Sequence, residues 1–177
     1  MAKRGDRPPV LDRPGPRLLT GAVGGFVGGV AFIALNSWFA ASTGRPELSP
    51  FHLIATLAQT GPPPTTSLWI GMAIHAALSV VLGMIFAAFT VLMRGNGMLM
   101  AAGFLYGGIV YAINFQVFSR FVEQFGGFLA LNQPFEVAAH LVFGGVMALF
   151  LLHPPRRVAP AESAKREEAP RTPSTTS

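Results

Sequence analysis

Four long apolar segments constrain this chain more than any other feature of its sequence. A helix needs about 20 consecutive, mainly apolar residues to cross the ~30 Å hydrocarbon core of a bilayer. Segments that meet or nearly meet this length are found at 18–42, 67–93, 98–119 and 134–152. Inside hydrocarbon each backbone polar group must be satisfied within its own segment, which favours helices. The sequence therefore predicts an all-α membrane protein, a bundle of four transmembrane helices.

The distribution of charge argues against a soluble fold. Only 12% of the 177 residues are charged, about half the share expected of a soluble domain. Between Leu18 and Leu152 there are six charged residues: Arg45, Glu47, Arg94, Arg120, Glu123 and Glu136. The net charge of +5 comes from the two ends of the chain. Basic residues beside apolar spans fit membrane topology and anionic lipid, so the lipid bilayer is the predicted partner, and nucleic acid is not.

The basic residues also predict the orientation. Eleven of the 13 Lys and Arg residues lie in 1–17, at Arg94 or in the segment after residue 153, whereas the two longer loops hold only Arg45 and Arg120. Because positive charge favours the cytoplasmic side, both ends are predicted to lie inside (N-in/C-in). Residues 1–17 and 154–177 have little to bury and are predicted to be disordered cytoplasmic tails. The transmembrane domain is then 18–153.

The first outer loop contains a pattern typical of a short helix. Ser49 stands where an N-cap residue would, and Pro50 follows at the first helical position. Phe51, Ile54 and Leu57 then recur at helical spacing on one face. The sequence predicts a short interfacial helix here, on the outer membrane surface.

Glycines predict how the spans meet. Membrane helices associate by close backbone approach through small residues. Gly21, Gly25 and Gly29 lie four apart on the first span, and Gly103 and Gly107 do so on the third. Two uses remain open for the first set: packing within the bundle, or formation of a homo-oligomer through Gly21, Gly25 and Gly29.

Five polar residues within the spans form the candidate site. Ionisable groups at membrane depth are costly and suggest a function unless packing explains them. The predicted polar cluster is Glu136, His140, His75, Asn36 and Asn114. His75 lies about nine residues into the second span and His140 about six into the fourth. These spans run parallel in an up-down bundle, so the two imidazoles are expected at similar depth.

Three interpretations of the histidines are open. They can tie helices together by hydrogen bonds, relay a proton or line a solute pathway, or bind the iron of haem b from both sides. Glu136 precedes His140 by four residues, so they share a face of the helix and can contact each other. Zinc would need further ligands, and no metal site is predicted.

The sequence lacks the motifs of soluble-type enzymes. There is no cysteine, no aspartate after Asp12, no phosphate-binding glycine loop and no His-Glu-x-x-His. The predicted function is non-enzymatic: a scaffold or accessory protein, or a small-solute or proton pathway. The alternative is a haem- or metal-binding electron carrier that uses His75 and His140; otherwise no cofactor is expected.

Two short stretches carry a family resemblance. Residues 74–81 (IHAALSVV) place a serine four after His75, and residues 136–143 (EVAAHLVF) place Glu136 four before His140. In these features, and in its plan over roughly 18–152, the chain resembles the YagU-like family of small bacterial inner-membrane proteins. The resemblance implies a multi-pass protein of the bacterial cytoplasmic membrane. It implies no substrate and no catalytic residue.

Overall fold

A computed structural model describes residues 14–93 and 95–152 of the protein. Within these ranges every regular element is helical. The long helices are α1 (Pro14–Ser42), α3 (Leu68–Phe89), α4 (Asn96–Tyr111) and α6 (Gln133–Phe150), and the short ones are α2 (Ser49–Ala55) and α5 (Ser119–Phe121). Three 3-10 segments cover Pro63–Thr65, Thr90–Leu92 and Glu123–Ala130, and a π-helix covers Ala112–Phe118.

Four helical stretches are long and apolar enough to span a membrane: Gly15–Ser42, Leu68–Leu92, Asn96–Phe121 and Gln133–Phe150. The predicted all-α architecture with four spans is confirmed. Helix α1 begins at Pro14, so residues 14–17 belong to a helix and not to a tail. The rest of both predicted tails, and Arg94, lie outside the described residues. The N-in/C-in orientation stays a prediction.

The four long helices pack in the order α3, α1, α6, α4. Helix α1 lies between α3 and α6, and α4 packs on the far side of α6. Helices α3 and α4 are not packed backbone to backbone. They meet through Tyr106, whose hydroxyl donates to the carbonyl oxygen of Leu82 (3.0 Å) and whose ring lies 5.2 Å from that of Phe86. Between this bridge and the end of the bundle that carries α2, the four helices enclose a space.

Glycines bring two helix pairs into backbone contact. On the α1–α3 pair, a Cβ at Gly25 would overlap the carbonyl oxygen of Ser79, and one at Gly29 would overlap the Ser79 side chain. On the α4–α6 pair, a Cβ on Gly103 would meet the Gly144 carbonyl, and the reverse also holds. These contacts exclude any side chain larger than hydrogen.

All three glycines of the predicted oligomer face are used within the chain. Gly21, Gly25 and Gly29 each lie against α3. Of the two expected uses, packing within the bundle is the one present in this structure. A homo-oligomer through this face stays a prediction, and α1 and α3 would have to separate to form it.

Helix α2 exists, but its start differs from expectation. Ser49 does not cap the helix: Leu48 holds the N-cap position without a side-chain hydrogen bond, and Ser49 is the first helical residue, before Pro50. The helix packs on the start of α3, where the Phe51 carbonyl lies against Gly71. We call the end of the bundle that carries α2 and Glu123–Ala130 the loop end, and the opposite end the tail end. The position of α2 on a membrane surface stays a prediction.

Arg17, expected in a solvated tail, is a helix cap at the tail end. It is buried, and its guanidinium donates to the Thr90 carbonyl (2.6 Å), the Thr90 hydroxyl (2.8 Å) and the Ala87 carbonyl (3.3 Å). These carbonyls end α3, where a helix leaves acceptors unsatisfied and where positive charge is stabilising.

Candidate functional site

A cavity of about 570 Å³ occupies the loop end of the bundle. Helices α1, α3, α4 and α6 form its walls, while α2 and the 3-10 segment Glu123–Ala130 cover it. Most of its lining is apolar. The wall also contains all five residues of the predicted polar cluster: Asn36, His75, Asn114, Glu136 and His140. Four different helical segments supply these residues, so the fold brings the whole cluster to one cavity.

His75 is oriented by the backbone of α1. Its Nε2 lies 2.9 Å from the carbonyl oxygen of Gly29. A carbonyl only accepts, so Nε2 must carry the proton and donate. The Ser79 hydroxyl donates to the backbone carbonyl of His75 (2.7 Å), one turn back on the same helix. Within the described residues Nδ1 of His75 has no hydrogen-bond partner, so in the neutral ring it is a free acceptor.

His140 is oriented by its own helix. Its Nδ1 donates to the backbone carbonyl of Glu136 (2.7 Å). Glu136 and His140 therefore do contact each other, through the backbone carbonyl of Glu136 one turn back and not through a hydrogen bond to its carboxylate. In the part of the chain that the structure describes, Nε2 of His140 has no partner. Both histidines line the cavity, and each has one ring nitrogen that is a free acceptor in the neutral form.

Phe32 of α1 bridges the two imidazoles. Its ring centroid lies 5.8 Å from that of His75, in a stacked arrangement, and 4.7 Å from that of His140, edge to face. A haem iron bound by both histidines would require their free nitrogens to point at a shared metal. Phe32 would have to move for a macrocycle to enter between them.

Glu136 contains an unpaired polar atom in the cavity wall. The residue is 2% exposed, and its Oε2 is buried without a hydrogen-bond partner among the described residues. The side chains of Asn36 and Arg45 are near enough to interact with the carboxyl group. The hydroxyl of Ser49, also in the lining, is the other buried side-chain oxygen of the described chain that lacks a partner. An unmade hydrogen bond at a buried group costs about 1–3 kcal/mol.

The π-helix places Asn114 and Phe115 on the cavity. A π-helical turn inserts an extra residue, and such turns are frequent at functional sites. Ser119 donates to the Asn114 carbonyl (2.8 Å), which stabilises the wide turn, and the Asn114 side chain lines the cavity. The Phe115 ring lies 5.3 Å from that of His140. The π-helix therefore shapes the wall opposite α1.

A hydrogen-bond network ties the π-helix to the start of α6. The Tyr111 hydroxyl donates to Oε1 of Gln133 (3.0 Å), and Nε2 of Gln116 donates to the Tyr111 hydroxyl (2.9 Å). The Asn132 side chain caps α6 by accepting from the Phe135 amide (3.1 Å). These bonds hold the first turn of α6, and with it the Glu136 carboxyl, in place.

A model of a family of unknown function, DUF6789, matches residues 16–157. The chain belongs to this family. No curated protein and no solved structure matches the chain. The DUF6789 match includes every residue of the cavity lining and, apart from Gly15, all of the four spans. The candidate site thus lies wholly inside the part of the chain that defines membership.

Sequence reasoning missed part of this DUF6789 site. Phe32 is one helical turn before Asn36, and that spacing on one face was the signal for it. Arg45 and Ser49 carry no comparable signal, because they lie in or beside a loop whose path depends on α3. Among the residues that the structure describes, no group of three or more His, Asp or Glu is placed to hold a metal ion. The polar groups of the wall are arranged to accept and donate hydrogen bonds.

Proposed function

We propose that this DUF6789 protein is a non-enzymatic membrane protein that binds a small amphipathic molecule in its loop-end cavity. The observation that carries the proposal is the buried, unpaired Oε2 of Glu136 in the cavity wall. A cavity of about 570 Å³ lies within the ~300–1,000 Å³ range of small-molecule sites. Because Oε2 has almost no exposed surface, the Glu136 side chain would have to turn toward the cavity for the donor of a bound molecule to satisfy this oxygen.

The chemistry of the wall supports a ligand with one polar end. Small-molecule sites are mostly apolar with a few convergent polar groups that set orientation. Here His75, His140 and Glu136 all line the cavity, while the rest of the lining is dominated by Leu, Ile, Phe and Pro. The Ser79 hydroxyl lies beside His75 in the lining, but it donates to the His75 backbone carbonyl and not to the ring, which favours binding over catalysis.

Binding is better supported than passage of a proton or solute. A pathway needs an opening at each end of the bundle. The lining reaches Leu82 and Phe143 and goes no deeper. Beneath them Phe86 and Met147 are 1% exposed and belong to one packed cluster. The pathway form of the prediction would therefore require a second conformation.

The proposed location rests on the sequence. The proposal places the protein in the cytoplasmic membrane of a bacterium, with both ends inside. The positive residues of the two ends support this orientation, and the resemblance to the YagU-like family supports the membrane. Reporter fusions at either end, active only in the cytoplasm, test it.

Native mass spectrometry tests the proposed function. The wild type, extracted with minimal detergent, is expected to retain a bound small molecule. Glu136→Gln keeps the side-chain shape but replaces one acceptor oxygen with a donor, and occupancy is expected to fall at least about tenfold, equivalent to ~1.4 kcal/mol. Glu123→Gln is the matched control, since Glu123 is exposed and outside the lining. A wild type with no bound molecule, or equal occupancy in Glu136→Gln, would contradict the proposal.

A further inference from the structure

We infer that the 3-10 segment Glu123–Ala130 is the lid of the cavity, and that ligands enter and leave at the loop end when this segment moves away from α2. The inference rests on the proposed function and adds the route by which the site exchanges its ligand. It also assigns a role to Gln133, whose side chain holds the lid closed. Three features carry it: the lid is a single layer of chain, it is held less firmly than α2, and one side chain bonds it to α6.

The lid is one layer of chain between the cavity and the exterior. Its cavity side consists of Phe125, Gly127, Phe128 and Ala130. Its outer side consists of Glu123, Gln124, Gly126 and Leu129, which are exposed and outside the lining. The exposed carboxylate of Glu123 requires water, because a charge at membrane depth is costly. Displacement of this layer would therefore connect the cavity to water at the loop end.

Helix α2, the other cover of the cavity, is bonded to the residues that lead into α3. The Thr66 hydroxyl donates to the His52 carbonyl (2.6 Å), and Nδ1 of His52 donates to the Thr66 carbonyl (2.8 Å). Just beyond the helix, Oε1 of Gln59 accepts from the Ser67 amide (2.7 Å). These short hydrogen bonds fix α2 to a spanning helix, so α2 is the stationary cover.

The contacts between the lid and α2 are weaker. The Thr56 hydroxyl lies 3.3 Å from the Gln124 carbonyl oxygen, which is longer than the ~2.5–3.0 Å usual for a hydroxyl donor. The same hydroxyl donates at 2.7 Å to the Leu53 carbonyl within α2. Gly127 lies beside the Leu53 side chain, an apolar contact. The lid can therefore leave α2 without breaking a short hydrogen bond between them.

The conformation of the lid also favours movement. A 3-10 helix has poorer hydrogen-bond geometry than an α-helix, and runs longer than about 3–4 residues are uncommon. This segment has eight residues, and none of them is buried. The Phe125 and Phe128 rings lie 5.2 and 5.4 Å from those of Phe118 and Phe115, and such apolar contacts leave no unmet hydrogen bond when they separate. Lids over binding sites are drawn from segments of low local stability such as this one.

Gln133 bonds the lid to the start of α6. Its Nε2 donates to the carbonyl of Phe128 in the lid (3.0 Å) and to that of Leu131 just after it (3.0 Å). On the other side of the amide, Oε1 accepts from the Tyr111 hydroxyl (3.0 Å). Val122 and Leu131, at the two ends of the lid, are extended, and such positions can absorb the backbone rotation of a hinge. Loss of the Gln133 donor should therefore free the lid and leave the spanning helices intact.

The chain contains no cysteine, so one introduced thiol can report access to the cavity. Val110→Cys places a thiol on the α4 wall, where Val110 is 7% exposed. The probe is a charged maleimide that does not dissolve in the bilayer, added to the full chain in phosphatidylcholine nanodiscs. Mass spectrometry measures the labelling rate. Gln133→Met removes the donor to the lid, and Gln59→Met, which removes a bond of α2, is the matched control; both glutamines are outside the lining.

The substitutions Leu53→Cys and Gly127→Cys, made together, provide a reversible lock. A Cβ on Gly127 would lie 2.8 Å from Cδ1 of Leu53, so thiols at these two positions face each other across the boundary between the lid and α2. Oxidation links them, peptide mapping confirms the link before labelling, and reduction removes it.

Gln133→Met should raise the labelling rate of Val110→Cys at least about tenfold, equivalent to ~1.4 kcal/mol, and Gln59→Met by less than about twofold. The oxidised lock should lower the rate at least about tenfold with either residue at position 133, whereas a partly unfolded variant would still be labelled. Equal rates in Gln133→Met and Gln59→Met, or a rate that the lock does not change, would overturn the inference. Labelling requires no ligand, so this result is independent of the mass-spectrometric test of the proposed function.

Discussion

Replacing Glu136 with methionine is expected to give a protein that is more stable than the wild type without ligand. With ligand present, the variant is expected to be less stable than the wild type. Glu136 is 2% exposed and has one carboxyl oxygen without a partner in the described chain. Methionine has a similar length, no group that needs a strong hydrogen bond, and enough flexibility to fill an irregular space. The substitution therefore removes the unpaired atom with little change in volume.

The magnitude follows from two opposing contributions. Removing a buried, unpaired oxygen gains about 1–3 kcal/mol. Asn36 loses its interaction with the carboxyl group, which costs about 0.5–1.5 kcal/mol, and the exposed Arg45 loses a charge interaction that adds little to this cost. The free energy of unfolding of the empty protein should therefore rise by about 1 kcal/mol. A ligand present at 100 times its Kd adds about 2.7 kcal/mol to the wild type and nothing to a variant that cannot bind it. With ligand present, the wild type should therefore be more stable than Glu136→Met.

Unfolding in detergent micelles, with and without the copurified molecule, measures both differences. Glu123→Met is the control, and because Glu123 is exposed its effect should stay within about 0.5 kcal/mol. A Glu136→Met protein that is less stable than the wild type when both are empty would show that the carboxyl is satisfied. That result would remove the observation on which the proposed function rests.

Three further substitutions test the packing and the histidines. Gly83→Ala places a methyl group against the α1 backbone and should lower the free energy of unfolding by about 1–3 kcal/mol. Gly97→Ala is the control: the added methyl group has open space around it, so the free energy of unfolding should not fall. Equal effects of the two substitutions would contradict the glycine contact. Arg17→Met removes the buried cap of α3 and should cost about 1.5–3 kcal/mol in the same unfolding assay, and no loss would show that water or lipid replaces it. The purified wild type should show no Soret band; a band that disappears in the His75→Ala/His140→Ala variant would favour the haem alternative over the proposal.

Much of the site could be placed from the sequence, but not its chemistry. Counting residues along each span put His75 and His140 at similar depth, and both line the same cavity. The spacing of Glu136 and His140 placed them on one face of α6, yet the ring bonds to the backbone carbonyl and not to the carboxyl. Spacing decides which face of the helix two side chains share, and their rotamers decide which atoms meet.

The glycines show the same division between what the sequence predicts and what the structure decides. Their spacing of four predicted close helix contacts, because only hydrogen leaves room for a second backbone. It left the partner open, since a glycine face fits a helix of the same chain as well as one of another copy. In the structure that partner is α3, which lies against Gly21, Gly25 and Gly29.

By itself the sequence determined the four spans and the small set of polar residues inside them. Length and apolarity are local properties, and the bilayer requires both of every crossing segment. Only the tertiary structure decided that the backbones of α3 and α4 stay apart, that Phe32 bridges the imidazoles and that one oxygen of Glu136 is unpaired. These depend on how distant helices rotate and approach one another, and no local pattern encodes those contacts.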